Sequence, residues 1–363
     1  MHKTPLNDFH REQGARLMEF AGWEMPVMYT GIKEEHAYTR EHCSLFDVSH
    51  MGRIEVLGEG AEAFLQRVCT RNVGGMKVGL SRYSHICRED GGILDDVIVS
   101  RLEEHYLVVC NASNREKVLA WFDKQREGYD FRYADRTFET GMVAIQGPEA
   151  LETMGELLPI PLGDLKRYHC MSGQAMGASY FVARSGYTGE DGVEIIMPAL
   201  YVAMAVSMLM TKSEELGRPI KPAGLGARDT LRFEAGMPLY GHELTEQWDS
   251  ISGGQGWCVD LSKDFIGSAA MRTVRDEGSA RKMTGLEVDS KRIPRQDSPV
   301  FSDGREVGVV TSGTHSPTLD KVIAMGLLEP VFCEPGTSVE IEVRGLKLPA
   351  KAVPLPFYKR EKK

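Results

Sequence analysis

Strand patterns and tight turn signals alternate between residues 51 and 125, and this alternation constrains the fold more than any other feature. Asp90-Gly91 is typical of the turn of an antiparallel hairpin, and Gly58 and Gly60 turn one strand into a helix. The predicted elements are strands over 53–57, 80–87, 93–100 and 106–110, a helix over 61–68, and a second helix that a capping box at 113–116 opens. Antiparallel strands mixed with helices predict an α+β fold.

The pattern of strand, glycine and helix recurs around Gly147, which predicts a second α+β part. Beyond residue 281 the pattern changes to short β-branched runs separated by turns, at 307–311, 322–327, 339–343 and 351–353. Such runs predict a separate all-β domain, either a barrel or a jelly roll. The charged stretch 275–279 is its natural boundary.

Charge and hydropathy exclude several classes of protein. The 363 residues include 43 Lys and Arg against 52 Asp and Glu, a net charge of −9, which disfavours broad binding to nucleic acid or to an anionic membrane. Pro198 divides the uncharged stretch 195–211 into the end of a strand and the start of a helix, and the stretch is shorter than the roughly 20 apolar residues of a membrane span. The N-terminus lacks a secretory or transit signal, which predicts a cytoplasmic protein, or a mitochondrial matrix protein whose transit peptide has been removed.

Metal and nucleotide motifs are weak in this sequence. The 7 cysteines show no Cys-x-x-Cys spacing, which predicts reduced thiols and no zinc or iron–sulfur site. His242-Glu243 lacks the second histidine of a metalloprotease helix, so we predict no metal site. The glycines at 58 and 60 superficially suit a dinucleotide fingerprint, but the surrounding hairpins favour a structural turn.

Three sets of charged residues stand out as candidates for a site. Asp95 and Asp96 begin an apolar strand, so they face opposite sides and at most one enters a shared pocket; the pattern alone favours hairpin solubility. Glu194 lies among apolar strand residues and needs donors, either from an arginine of the protein or from a ligand. Arg228 and Arg232 share a helix face and could meet a carboxylate of either kind.

Short motifs along the whole chain identify it as similar to a known family. They are TPL at 4–6, FAGWEMP at 20–26, FDVSHMG at 46–52, GGILDD at 91–96, QGP at 146–148, GYTGEDGVE at 186–194, AGLGARD at 223–229 and TSGTHSPTL at 311–319. In this order and spacing they resemble the aminomethyltransferase family, the T-proteins of the glycine cleavage system. The resemblance runs from Thr4 to about Tyr358.

The resemblance implies a three-domain cloverleaf with a tetrahydrofolate site in its central opening. Its domains would be residues 1–50 with 140–275, residues 51–139, and a C-terminal β-barrel over 281–358. The lipoyl arm of a partner, the H-protein, would deliver an aminomethyl group, whose methylene passes to tetrahydrofolate while ammonia is released. We expect no metal, nucleic acid or membrane partner, and a monomer or weak dimer.

The resemblance also implies roles for particular residues. The catalytic aspartate falls on Asp96, and folate contacts fall on Glu194 and Arg228. Asn111, Tyr83 and Met51 match segments that line the folate pocket. A pterin ring presents an amino group and a ring N–H side by side, and a carboxylate such as Glu194 accepts both.

One segment departs from the family pattern and keeps two alternatives open. After Tyr240–Leu244 the family usually has Thr-Pro followed shortly by Glu, whereas Trp248-Asp249-Ser250 and Ser252-Gly253-Gly254 stand here. A tetrahydrofolate-dependent demethylase of a small methylated compound is therefore the alternative function. A folate-binding accessory protein of iron–sulfur assembly is less favoured, because its Lys-Gly-Cys-Tyr-x-Gly-Gln segment is absent.

Overall fold

The computed structural model describes residues 1–175 and 177–360, and the chain divides into two compact units. One unit contains Met1–Glu62, Gly75–Arg82 and Ile98–Leu231; the other contains Ala63–Gly74, Tyr83–Val97 and the chain from Arg232 onward. The units cut the chain at positions other than the expected domain boundaries, which stay predictions.

Helices are distributed along both units. The α-helices of the described residues are Asn7–Glu12, Ile32–Glu41, Ala61–Val68, Arg115–Gln125, Ala150–Leu157, Ala199–Glu215, Leu225–Glu234 and Ser268–Glu277. Short 3-10 turns lie at Ala112–Asn114, Leu162–Asp164, Gly256–Cys258 and Pro330–Phe332. Among the described residues, we find no helix that is both long and apolar enough to cross a membrane.

The strands of the described residues form three open sheets and one barrel. The three-stranded sheet has the order His2–Lys3, Trp23–Met28, Arg16–Phe20. The six-stranded sheet has the order Cys170–Ala175, Ala178–Ala183, Gly192–Pro198, Thr140–Gln146, Ser44–Asp47, Lys221–Pro222. The five-stranded sheet has the order Ser81–Cys87, Ile93–Arg101, Tyr106–Cys110, Gly52–Leu57, Arg132–Asp135. The closed barrel has the order Lys282–Val288, Lys321–Leu328, Arg305–Ser316, Pro299–Ser302, Ser338–Val343, Leu346–Val353.

The predicted α+β class with a C-terminal all-β domain is confirmed, and of the two alternatives that domain is the barrel. The strands and the helix predicted between residues 53 and 110 differ from the observed bounds by one residue at most. The prediction of a capping box at 113–116 is wrong. Ser113 lies inside a 3-10 turn, and the residue before the helix is Asn114, whose side chain makes no capping hydrogen bond.

Close backbone packing explains the glycines at 58 and 60. Gly58 has a φ of +113°, and a Cβ on Gly60 would lie 2.6 Å from the main-chain nitrogen of Asp130. The main-chain nitrogen of Gly60 also donates a hydrogen bond of 2.8 Å to the carbonyl of Asp130. These contacts support the structural turn rather than the dinucleotide fingerprint.

The six-stranded sheet separates two apolar clusters and so sets the direction of Glu194. Val193 and Ile195 belong to the cluster on one face. Ile196 belongs to the cluster on the other face, together with Ala144 and Ala183, the residues that pair with Glu194 on the two neighbouring strands. Because successive strand residues alternate, Glu194 lies on the face of Ile196, beside two small side chains.

Two buried carboxylates account for the motif at 311–319 and for one of the paired arginines. Glu243 accepts hydrogen bonds from Arg232 (2.8 Å), Thr311 (2.7 Å) and Ser312 (2.5 Å). Glu234 accepts from the hydroxyl of Ser316, and from the main-chain nitrogen (3.0 Å) and the hydroxyl (2.7 Å) of Thr318. This motif therefore joins the barrel to residues 232–243 of the same unit, and Arg232 meets a carboxylate of the protein.

Candidate active site

The paired aspartates differ in exposure, as expected for neighbouring residues that lie on opposite faces of a strand. The turn before them is closed by hydrogen bonds between Arg88 and Gly92 (2.8 Å) and between Gly91 and Arg88 (3.0 Å). Asp95 is fully buried, whereas Asp96 is half-buried. Hairpin solubility therefore does not explain Asp95, and Asp96 is the member of the pair that a ligand could reach.

Aromatic and polar side chains of the same unit hold Asp96. The hydroxyl of Tyr83 donates to Oδ2 of Asp96 at 3.0 Å, and Nε2 of His85 lies 3.2 Å from that hydroxyl. Nδ1 of His85 lies 2.7 Å from the hydroxyl of Ser250. The ring of Tyr83 stacks on Trp257, with centroids 5.3 Å apart, and Trp257 is 54% exposed. An exposed aromatic surface thus lies beside the tyrosine that binds Asp96.

Glu194 is held at one oxygen by a neighbouring hydroxyl. Ser185 donates to Oε2 of Glu194 at 2.5 Å. The main-chain oxygen of Ser185 accepts from the amide of Gln146 at 3.0 Å, and Thr188 donates to the other end of that amide at 3.0 Å. A Cβ on Gly186 would overlap the Gln146 amide, so this position requires glycine. The segment 185–194 therefore presents Ser185 and Glu194 together.

The guanidinium of Arg228 is buried and incompletely paired. Its Nη1 has no hydrogen-bond partner within the described residues, and its Cζ lies 5.1 Å from the ring centroid of Tyr187. Burial lowers the pKa of Arg228, while the charges of Glu194 and Tyr187 act in the opposite direction. A buried donor without an acceptor costs free energy, so an acceptor on a ligand would stabilise this arrangement.

His50 is a second buried group near Arg228 with an unpaired nitrogen. Its Nδ1 makes no hydrogen bond within the described residues, and its ring packs edge-on against Phe20. Burial lowers the pKa of His50 to about 4. The charge of Asp47 acts to raise this pKa, and the charges of Arg228 and Arg53 lower it further. The imidazole of His50 is therefore neutral at physiological pH.

Buried neutral histidines predict a loss of stability in mild acid. Burial lowers the pKa of His85 to about 3 and that of His50 to about 4, whereas an unfolded histidine titrates near 6.5. Below pH 6.5 the unfolded chain binds protons that the folded chain does not, so stability present above 6.5 is lost as the pH falls. At pH 5.5 we expect each histidine to cost about 1.4 kcal/mol.

Urea unfolding at pH 7.5 and 5.5 measures this loss. His50→Gln should shrink the difference between the two pH values by about 1.4 kcal/mol. His2→Gln is the control, because His2 is exposed and meets water in both states. The same pH dependence in His50→Gln and in the parent would contradict a neutral buried His50.

Met51 and Asn111 are the other residues that were predicted to line the site. Met51 is partly buried against the apolar cluster that contains Ala144 and Ala183, on the sheet face of Glu194. Asn111 follows the strand Tyr106–Cys110, and its main-chain oxygen accepts from the nitrogen of Asn114 at 3.0 Å. Met51, Asn111, Glu194 and Arg228 thus belong to one compact unit, and Tyr83 and Asp96 to the other.

His85, Ser250 and Trp257 were not predicted as site residues. The sequence carries one signal for His85, since it lies two residues after Tyr83 and therefore on the same face of the strand Ser81–Cys87. Ser250 is 165 residues from His85 in sequence, and no local pattern connects them.

The 7 cysteines form no disulfide with one another, and 6 of them are buried. No group of three or more His, Cys, Asp or Glu residues in the described part of the chain could hold a metal ion.

This fold is that of the aminomethyltransferases. A crystal structure of the glycine cleavage system aminomethyltransferase T from Bartonella henselae matches it with a TM-score of 0.91 and 34% sequence identity, over 98% of each chain. The aminomethyltransferase of Desulfitobacterium hafniense is 40% identical over 363 residues, 99% of each chain. That of Rubrobacter xylanophilus is 44% identical over 364 residues, covering 100% of this chain and 95% of the relative.

Two family models divide almost the whole chain between them. The GCVT N-terminal domain matches residues 6–263, and the glycine cleavage T-protein C-terminal barrel domain matches residues 281–359. The chain belongs to the glycine cleavage T-protein family. It is an enzyme with the aminomethyltransferase function of that family, whose members use tetrahydrofolate as a substrate and act with the H-protein.

Proposed function

We propose that Glu194 and Arg228 bind the pterin end of tetrahydrofolate and that Asp96 serves the transfer of the methylene from aminomethyl-lipoyl H-protein. The observation that carries the proposal is the unpaired, buried Nη1 of Arg228 in the electrostatic field of Glu194. A carboxylate together with a donor that lacks a partner suits a planar ring that has both N–H groups and acceptor atoms.

Glu194 is the group that selects the ring. The Ser185 hydroxyl donates a hydrogen bond to Oε2. The remaining lone pairs of the carboxylate accept hydrogen bonds from the amino group and the ring N–H of the pterin. The residues that pair with Glu194 on both neighbouring strands are alanines, whose side chains are small. Nη1 of Arg228 donates to an acceptor atom of the same ring.

Asp96 acts on the reacting nitrogens of tetrahydrofolate. During the transfer, two bonds form between the methylene carbon and folate nitrogens, and its bonds to the amine and to the lipoyl sulfur break. The two protons that the folate nitrogens lose end on ammonia and on the dihydrolipoyl thiol, so the reaction balances without an oxidant. Asp96 orients the nitrogens, stabilises positive charge on them and relays a proton.

Tyr83, Met51 and Asn111 are further candidates for contacts with tetrahydrofolate. Tyr83 holds Asp96 through its hydroxyl, Met51 supplies an apolar surface on the sheet face of Glu194, and Asn111 offers an amide. The expected cytoplasmic location and the expected monomer or weak dimer stay predictions, as does the absence of a metal.

The donor is tested by mixing the protein with tetrahydrofolate and H-protein that carries an aminomethylated lipoyl arm. We expect one ammonia and one methylene-tetrahydrofolate for each loaded carrier, and no product when the arm carries no aminomethyl group. The demethylase alternative makes the opposite prediction. Methyl-tetrahydrofolate formed from a small methylated compound, with no response to the carrier, would overturn the proposed donor.

A further inference from the structure

We propose that His85 and Ser250 are positioning residues that direct the hydroxyl hydrogen of Tyr83 onto Asp96. The proposal rests on the role proposed above for Asp96. It concerns two side chains that neither the family resemblance nor the comparisons assign. Both are fully buried, and the hydrogen bond between them joins Ser250, 165 residues away in sequence, to the strand Ser81–Cys87.

The direction of each hydrogen bond follows from the chemistry of the groups. An ionised carboxylate can only accept, so the single hydrogen of the Tyr83 hydroxyl goes to Asp96. The oxygen of Tyr83 can then only accept from His85, which places the imidazole hydrogen on Nε2. A neutral imidazole has one hydrogen, so Nδ1 is bare and accepts from the hydroxyl of Ser250.

Burial keeps the imidazole of His85 neutral, because it lowers the pKa of this group to about 3. From Ser250 through His85 and Tyr83 to Asp96, every hydrogen bond can run in one direction, and bonds aligned in this way strengthen one another.

The opposite tautomer would remove the donor from Asp96. With a hydrogen on Nδ1, the bare Nε2 of His85 would accept the hydroxyl of Tyr83, and the carboxylate would lose this hydrogen bond. A hydrogen bond donated by the Ser250 hydroxyl to Nδ1 stabilises the Nε2–H tautomer instead. Ser250 therefore fixes the orientation of a catalytic group that it does not touch.

Ser250 belongs to the segment 248–254, where the sequence departs from the family pattern. Asp249 shapes this segment into a tight turn by accepting from the main-chain nitrogens of Ile251 (2.8 Å) and Ser252 (3.0 Å). The turn holds Ser250 within hydrogen-bond distance of His85. The segment that departs from the family pattern thus supplies a hydroxyl that contacts His85, and His85 in turn contacts Tyr83.

Ser250→Ala is the primary test. At saturating tetrahydrofolate and loaded H-protein, we expect the single-turnover rate to fall about 10-fold, with the half-saturating tetrahydrofolate concentration within about 2-fold of the parent value. In a Tyr83→Phe background, Ser250→Ala should change the rate by less than about 2-fold, because its effect passes through the missing hydroxyl. Full additivity of the two changes would overturn the proposal.

Matched variants separate positioning from stability. Ser252→Ala makes the same change in the same turn, but the Ser252 hydroxyl contacts Asp249 and Ser279, so the single-turnover rate should match the parent. His85→Gln keeps a donor for Tyr83 and should retain more of the rate than His85→Leu, which has none. Equal rates in the two His85 variants would contradict the proposal even if Ser250→Ala failed to fold.

Nitrogen-15 NMR of labelled histidines gives a readout that does not depend on activity. We expect the Nε2–H tautomer for His85 in the parent and a shift toward Nδ1–H in Ser250→Ala. An Nδ1–H tautomer in the parent would overturn the proposal. If Asp96→Asn kept the parent rate, the proposed function would fail; a slow Asp96→Asn with a parent-like Ser250→Ala would refute the positioning role alone.

Discussion

Asp96→Asn is expected to lower the single-turnover rate of methylene transfer by about 100-fold or more while the protein stays folded. Asparagine keeps the shape of aspartate and can still accept a hydrogen bond from Tyr83, but it lacks the negative charge and the basic oxygen. The loss should therefore appear in the rate at saturating substrates. Rapid quench of one turnover with loaded H-protein measures it.

Asp95→Asn is the matched control for this prediction. Asp95 is fully buried, so its substitution should lower the melting temperature more than Asp96→Asn does and leave most of the transfer rate intact. If Asp95→Asn abolished transfer and Asp96→Asn stayed near the parent, the assignment of the catalytic aspartate would be wrong.

Glu194→Gln is expected to weaken tetrahydrofolate binding by about 1–3 kcal/mol, which is about 5- to 150-fold in affinity. Glutamine replaces one acceptor oxygen with an NH₂ group, which would face donors of the pterin ring. Calorimetry with tetrahydrofolate measures the change. Glu152→Gln is the control, because Glu152 forms an exposed ion pair with Arg218 and has no proposed contact with tetrahydrofolate. Equal affinity in Glu194→Gln and the parent would refute pterin recognition by Glu194.

Local patterns predicted the secondary structure well because each depends on residues close in sequence. The Asp90-Gly91 turn and the strand pattern over 93–100 predicted the hairpin that carries Asp96. Pro198 correctly separated the strand Gly192–Pro198 from the helix Ala199–Glu215. The capping box failed because Ser113 is drawn into a 3-10 turn, which a match of residue types does not reveal.

The contacts around the candidate site could not be predicted from the sequence, because they join residues that are far apart along the chain. Whether Glu194 meets an arginine or a ligand depends on packing across strands, and the pattern left both alternatives open. The structure supplies Ser185 for one oxygen and places Arg228 where its charge acts on Glu194. Ser250 contacts His85 across 165 residues, so only the folded chain shows the hydrogen bonds behind Asp96.

The proposed function divides the roles between two residues: Glu194 binds tetrahydrofolate, and Asp96 acts on its reacting nitrogens. The single-turnover rate of methylene transfer, measured against tetrahydrofolate concentration in Glu194→Gln and Asp96→Asn, tests this division most directly. We predict that Glu194→Gln reaches the parent plateau at about 5- to 150-fold higher tetrahydrofolate. Asp96→Asn should show a plateau lowered by about 100-fold or more at an unchanged half-saturating concentration. A lowered plateau in Glu194→Gln together with a parent plateau in Asp96→Asn would contradict the account.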